Sequence, residues 1–180
     1  MTHVFKADWF TWNIPFFQKH LSHLTGNPCH ALEIGCHEGR ASTWLLENVL
    51  THPDSRLTAV DIKVQPSYWD NIKASGGLDK TELLINPSRE ILRGLPFAYY
   101  DFVYIDGSHW TIEVLEDAVL SFPLVKVGGV IAFDDYLWDD PRCNQEGVPK
   151  PAIDAFLQLY NDRISILEHD HQVWVQKLSD

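Results

Sequence analysis

Residues 101–110 read DFVYIDGSHW, an apolar run that ends on Asp106 and is followed at once by Gly107, Ser108, His109 and Trp110. A run with so little polar alternation suits a strand buried on both faces. An acid and an imidazole at its tip point to chemistry carried out where the strand ends. Three further runs behave alike: residues 31–36 (ALEIGC) carry Glu33, residues 56–61 (RLTAVD) close on Asp61, and residues 130–133 (VIAF) break off into Asp134, Asp135 and Tyr136.

Helical patterns lie between these runs. Residues 42–50 (STWLLENVL) are rich in helix formers. Residues 63–80 are less regular, with Pro66 and Gly76-Gly77 marking turns around a short helix. Residues 81–86 make a strand closed by Pro87, and residues 88–94 a short helix with Ser88 as its cap and Gly94 at its end. From 108 to 122, the spacing of Ile112, Leu115, Val119 and Phe122 predicts a helix with those residues inward and Glu113, Glu116 and Asp117 outward. Gly128-Gly129 would then release the chain into the strand at 130. A helix over 151–160 has Ile153, Phe156 and Tyr160 on one face, and the runs 164–167 and 172–176 read as an antiparallel hairpin at the sheet edge. His169, Asp170 and His171 form its polar turn.

This alternation predicts an α/β fold with a mainly parallel sheet covered by helices on both faces. In such sheets ligands sit beyond the carboxyl ends of the strands, where strand order reverses. Glu33, Asp61, Asp106 and Asp134 all fall at or near those ends. Without a repeat or a low-complexity tract, the expectation is one domain over 1–180, with a short N-terminal helical segment (1–28) before the core (29–180).

The chain has 180 residues, of which 45% are hydrophobic, and a formal charge of −11 from 14 basic and 25 acidic side chains. That balance repels polyphosphate backbones and argues against nucleic acid as a partner. No leader-like segment and no run of membrane-spanning length stands out, so a soluble, cytoplasmic protein with no membrane partner is expected. Cys29, Cys36 and Cys143 form no C-x-x-C pair, and their odd number argues for reduced, mostly buried thiols. His20 and His23 lack acidic or cysteine partners at ligand spacing and read as surface residues.

The loop at 33–39 (EIGCHEG) has its glycines spaced G-x-x-x-G, whereas a dinucleotide fingerprint from Gly35 would need glycine where His37 and Arg40 stand. An NAD(P)-dependent oxidoreductase is therefore disfavoured. Glu33 before the first glycine suits a ligand with ammonium or sulfonium charge rather than phosphate. Asp61, at the end of the second strand, is placed to accept two ribose hydroxyls. A plain strand-to-helix turn and a solvated loop acid would account for the same residues.

Taken together, EIGCHEG (33–39), AVD (59–61), YIDGSH (104–109) and GGVIAFDDY (128–136) resemble the class I S-adenosylmethionine-dependent methyltransferases. Within that class they resemble the small-molecule O-methyltransferase branch that includes the macrocin and cephalosporin-pathway enzymes. The resemblance covers roughly residues 28–178. It implies a Rossmann-like, doubly wound, seven-stranded sheet, mostly parallel with an antiparallel C-terminal strand, in agreement with the hairpin. It also implies S-adenosylmethionine as cofactor, with Glu33, Gly35 and Gly39 toward its methionine part, Asp61 on the ribose, Ser88 near the adenine and Asp106 also among the cofactor-binding residues. The acceptor would be a small hydroxylated molecule; a homo-oligomer is compatible with this reading, as is a non-catalytic module that kept the cofactor pocket.

Methyl transfer to a hydroxyl is helped by a base and by a cation that stabilises the developing alkoxide. The hard oxygens of Asp106, Asp134 and Asp135 suit Mg²⁺. In the resembled branch, acids at these positions hold such a metal and a histidine at the offset of His109 is the base. Taken singly, Asp106 could cap a helix, Asp134 and Asp135 could form a turn, and His109 could be a first-turn residue. Together, three acids at adjacent strand ends would repel one another without a cation. Trp110, Tyr136 and Trp138 are candidates for an apolar substrate wall, for ring-face contacts to the sulfonium or for loop aromatics covering the core, and Trp9 and Trp12 would fold over the same rim.

Overall fold

Seven strands form one sheet: β1 (His30–Ile34), β2 (Arg56–Asp61), β3 (Thr81–Ile85), β4 (Tyr100–Ile105), β5 (Val125–Phe133), β6 (Ile164–His169) and β7 (Val173–Lys177). The structure, a computed structural model, describes residues 2–139 and 147–180. Cys143 lies outside the described residues; Cys29 and Cys36 are buried free thiols.

Strand order is β3-β2-β1-β4-β5-β7-β6, with β1 to β5 parallel and β7 antiparallel to both neighbours. Order therefore reverses between β1 and β4. Alternate residues of each strand feed opposite faces. Ala31, Ala59, Phe102, Tyr104, Ala132 and Trp174 pack under α1 (Ile14–Leu21), α2 (Arg40–Asn48) and α3 (Tyr68–Ala74). Leu32, Val60, Val103, Ile131 and Val175 face the side covered by α5 (Thr111–Ser121) and α6 (Lys150–Leu159), with the short α4 (Ser88–Ile91) between β3 and β4 in the chain. Both faces are covered, which is why the strands read as nearly continuous apolar runs.

The N-terminal segment belongs to this core. Phe17 on α1 is fully buried, and its ring meets those of Phe10, Trp44, Tyr104 and Trp174 at centroid distances of 4.8, 5.7, 5.0 and 4.9 Å. His20 follows it inward. Its side chain is 8% exposed and its ring lies 5.1 Å from that of Trp174, so it is not a surface residue.

Three local expectations are corrected. Gly128 and Gly129 do not precede β5 but lie inside it, at a shift in its register with β4. A Cβ on Gly129 would come within 2.7 Å of Val125 and 3.0 Å of the Asp101 carbonyl, so the irregular strand can continue only through glycine there. At α4 the N-cap position is Pro87, and Ser88 is the first helical residue.

The third correction concerns the inward face of α5, where Leu115 and the following Phe122 pack against the core as expected but Ile112 and Val119 do not. Val114, Asp117, Ala118 and Ser121 are buried, while Ile112 and Val119 are 68% and 40% exposed. The small residues Ala118 and Ser121 let the helix approach the sheet, and Asp117 is carried in with them. Burial pushes the Asp117 carboxyl up to about 6; Ser88 against it opposes the shift, and the charges of Glu113 and Glu116 add to it. Oδ1 of Asp117 has no hydrogen-bond partner among the described residues.

Because the folded protein favours neutral Asp117, the stability this group contributes is complete below its ordinary value of 3.8 and is lost as pH rises through about 6. Asp117→Asn carries no such charge. Its stability relative to the wild type should rise between pH 4 and 7 by roughly 2–3 kcal/mol and then level off, as measured by urea unfolding across that range.

Candidate functional site

The carboxyl end of β1 runs directly into the loop that organises the site. Gly35 has φ 87° and donates its N–H to Val60 O at 2.8 Å, while Asp106 N–H donates to Ile34 O at 2.9 Å. A Cβ on Gly35 would stand 2.0 Å from the Asp106 carbonyl oxygen. Glycine is required here because two backbones touch. Gly39, at φ 81°, is the N-cap of α2, with the ring of Tyr68 3.2 Å from where its Cβ would be.

Between the two glycines, His37 holds a left-handed φ of 44° and donates its N–H to Asp61 Oδ2 at 2.9 Å. Lys63 N–H donates to Asp61 Oδ1 at 3.2 Å. The Asp61 carboxylate is thereby fixed at the tip of β2 and turned toward the loop. Glu33 is 1% exposed and accepts a hydrogen bond from Ser42 of α2. Burial pushes its carboxyl up to about 8, against the bond from Ser42, and the charge of Asp61 adds to the rise. A cationic ligand would favour the ionised form of this glutamate.

Across the point where strand order reverses lies the acid group. Asp134, at the end of β5, accepts three hydrogen bonds: from the Tyr104 hydroxyl and from Asn13 Nδ2 (3.0 Å) on Oδ2, and from Asp135 N–H (2.9 Å) on Oδ1. Asp135 has a left-handed φ of 58°, and its Oδ2 lies 2.8 Å from His109 Nε2. Three non-glycine residues have positive φ among the described residues, and two of them, His37 and Asp135, sit here. Burial and then the charges of Asp134, Asp135 and Glu33 hold the Asp106 carboxyl well above its usual range. Burial, and then the charge of Asp135, raises the Asp134 carboxyl. The bond to Asp135 raises His109.

The structure thus brings Asp106, Asp134, Asp135 and His109 together at adjacent strand ends, with Glu33, Gly35, Gly39 and Asp61 beside them. Ser88 lies apart, against Asp117. No three His, Cys, Asp or Glu side chains among the described residues form a group able to hold a metal ion. The donor type and the accumulated charge suit a hard cation, but both oxygens of Asp134 already accept hydrogen bonds. Tyr136 is 6% exposed and packs in the core, its hydroxyl bonded to Asp154 at 2.9 Å, so it is no open wall. Trp138 lies over His109 at 4.3 Å between ring centroids, and Trp110 is 55% exposed.

The N-terminal segment closes over this end of the sheet. Val4 pairs with the buried Asn71 amide (2.7 and 3.0 Å), Lys6 N–H donates to Glu38 at 2.8 Å, and the Trp9 ring lies 5.3 Å from that of His37. Trp9 thus lies against the glycine loop, while Trp12 is exposed. Ser42, Tyr104, Asn13 and His171 were not singled out from the sequence as site residues, since nothing in their local pattern marks them. An open groove lined by Arg56, Thr58, Lys80, Glu82 and Tyr100 lies at the opposite ends of β2 to β4 and includes none of the expected site residues.

A family model described as a methyltransferase domain matches residues 32–136. Tapetum-specific methyltransferase 1 of Arabidopsis thaliana is 28% identical over 163 residues, covering 85% of this chain and 66% of that protein. A caffeoyl-CoA O-methyltransferase of Stellaria longipes is 30% identical over 123 residues, covering 63% of this chain and 48% of that protein. The chain spans two thirds or less of the length of these curated relatives. Among solved structures, the O-methyltransferase TomG of Streptomyces achromogenes, in complex with SAM, superposes with a TM-score of 0.68 at 18% identity, over 83% of this chain and 73% of that one. MycE from the mycinamycin pathway, solved with Mg, SAH and mycinamycin VI, superposes with a TM-score of 0.69 at 18% identity, over 96% of this chain and 50% of that one. These two likenesses concern the fold.

The matched span includes the Gly35 junction, whose sterics are directly testable. Gly35→Ala should lose roughly 3 kcal/mol or more of unfolding free energy, because the new methyl group meets backbone. Gly26→Ala, at φ 79° with no atom within 4 Å of the new Cβ, should lose only about 1 kcal/mol. Urea titrations of the two variants beside the wild type make the comparison.

Proposed function

The chain belongs to the methyltransferase-domain family, and on that premise we propose that it moves a methyl group from S-adenosylmethionine to a hydroxyl of a small molecule. The observation that carries this reading is the pairing, across the β1–β4 junction, of a fixed strand-end acid, Asp61, with the linked acid and imidazole of Asp135 and His109. The first suits a ribose and the second suits removal of a hydroxyl proton.

The roles follow from chemistry and position. Asp61 would accept both ribose hydroxyls, and the Gly35–Gly39 loop, Glu33 and the Asp106 strand end would surround the methionine part. The cofactor supplies a methyl group on sulfonium sulfur, which keeps the bonding electron pair when the acceptor oxygen takes the methyl. His109 receives the proton that oxygen loses. Since Nε2 of His109 is turned to Asp135, the accepting atom is Nδ1. Trp138 packs against the ring and limits its rotation.

Asp106, Asp134 and Asp135 are not grouped for a metal in the arrangement described above and would have to draw together to hold a divalent cation such as Mg²⁺, which would stabilise negative charge on the acceptor oxygen. The raised carboxyls of Asp106 and Asp134 support this, because a cation relieves that repulsion. The described helices include none long and apolar enough to cross a membrane, which fits action on a dissolved small molecule. All residues of 1–180 would act as one methyltransferase domain.

Three variants test these roles by titration with S-adenosylhomocysteine and by transfer of labelled methyl to a panel of small hydroxylated acceptors. Asp61→Ala should weaken S-adenosylhomocysteine about 10–100-fold, the cost of losing bonds to a charged acceptor. Asp135→Ala should leave that affinity near wild type and remove any dependence of turnover on Mg²⁺. His109→Gln should lower turnover about 100-fold or more. Unchanged affinity in the first together with unchanged turnover in the other two would overturn the assignment.

A further inference from the structure

We propose that Asn13 is a positioning residue for this centre, a buried amide through which the N-terminal segment sets the placement of Asp134 and, through it, of Asp135 and His109. The inference rests on the functional reading above, although the bridge itself can be tested without it. Asn13 ends the 3₁₀ turn Thr11–Asn13, directly before α1, and is fully buried. A buried amide must find partners for both ends. Its Nδ2 donates to Asp134 Oδ2 at 3.0 Å, and its Oδ1 lies 3.0 Å from His171 Nε2. Since Oδ1 can only accept, His171 must carry its proton on Nε2.

The bridge closes a circuit. Tyr136 N–H donates to the His171 carbonyl at 2.9 Å, so the residues after β5, the β6–β7 turn and the N-terminal segment meet at one amide. The His171 ring also packs edge-on against Phe16, 4.9 Å away on the first turn of α1. With Tyr104 donating to the same carboxylate oxygen, Oδ2 of Asp134 is fixed from two sides and Oδ1 is left for the Asp135 N–H. Asp135 then holds its left-handed backbone and reaches His109. Aspartate would set two carboxylates about 3 Å apart, alanine would leave Asp134 and His171 each short of a partner, and glutamine is one methylene too long.

The experiment measures S-adenosylhomocysteine affinity, turnover and the His171 ring tautomer, the last by nitrogen-15 NMR, in the wild type and in Asn13→Ala, Asn13→Asp and Asn13→Ser. Turnover should fall about tenfold or more in Asn13→Ala and further in Asn13→Asp, with affinity within about twofold of wild type, as expected when a reacting group is displaced while the cofactor loop stays put. Asn13→Ser keeps a small hydrogen-bonding group and should lie between wild type and alanine, which decides the matter if the alanine variant does not fold. In the wild type, His171 should be the Nε2–H tautomer, and the substitutions should disturb it. Wild-type turnover in the variants, or an Nδ1–H tautomer in the wild type, overturns the proposal. A wild type that methylates nothing but shows the expected tautomer and its loss in the variants would sink the functional reading and leave the bridge standing.

Discussion

The contact on which the site depends is backbone against backbone: Gly35 at the end of β1 lies so close to the Asp106 carbonyl that no side chain could stand between them. It occurs where strand order reverses, with β1 paired to β2 on one side and β4 on the other. Loops leaving a reversal point part in opposite directions and leave a crevice. The glycine lets the two backbones meet there. It puts the loop that fixes Asp61 next to the strand end that carries Asp106, so the two halves of the proposed chemistry share one wall.

Around this junction the protein concentrates negative charge that it only partly neutralises. Glu33, Asp106 and Asp134 are pushed toward their protonated forms first by burial and then by neighbouring carboxylates, Asp61 for Glu33, Asp134 and Asp135 for Asp106, and Asp135 for Asp134, while the bonds to Asp134 and the His109 contact to Asp135 hold the side chains in place. Side chains kept in place against their own repulsion are suited to positively charged guests. Two left-handed residues, His37 and Asp135, lie one in each half. The N-terminal segment reaches both halves, gripping the Glu38 and Asn71 side at Val4 and Lys6 and the acid side at Asn13.

Much of this could be read along the chain. Each acid-tipped apolar run became a strand whose end faces the site, because burial on both faces leaves a composition that local pattern can detect. What failed did so for identifiable reasons. The inward face of α5 was misassigned because close packing against the sheet favoured Ala118 and Ser121 over Ile112 and Val119, and buried the acid Asp117 with them. The start of β5 was hidden by two glycines needed at an irregular pairing. Tyr136 fitted a substrate wall as well as a core-covering loop aromatic, and the fold, which buries it and bonds its hydroxyl to Asp154, decides against the wall. Asn13 and His171 are 158 residues apart and meet only through tertiary structure, so no spacing could have linked them.

The central claim is that one crevice, floored by the Gly35 junction, takes a sulfonium nucleoside on the Asp61 side and the acceptor on the His109 side. A crystal structure of the protein grown with S-adenosylhomocysteine tests it most directly. The account requires the ribose hydroxyls on the Asp61 carboxylate and the thioether sulfur between the Gly35 loop and Asp106, directed toward His109. Density for the nucleoside elsewhere, or with its sulfur turned away from His109, would contradict it.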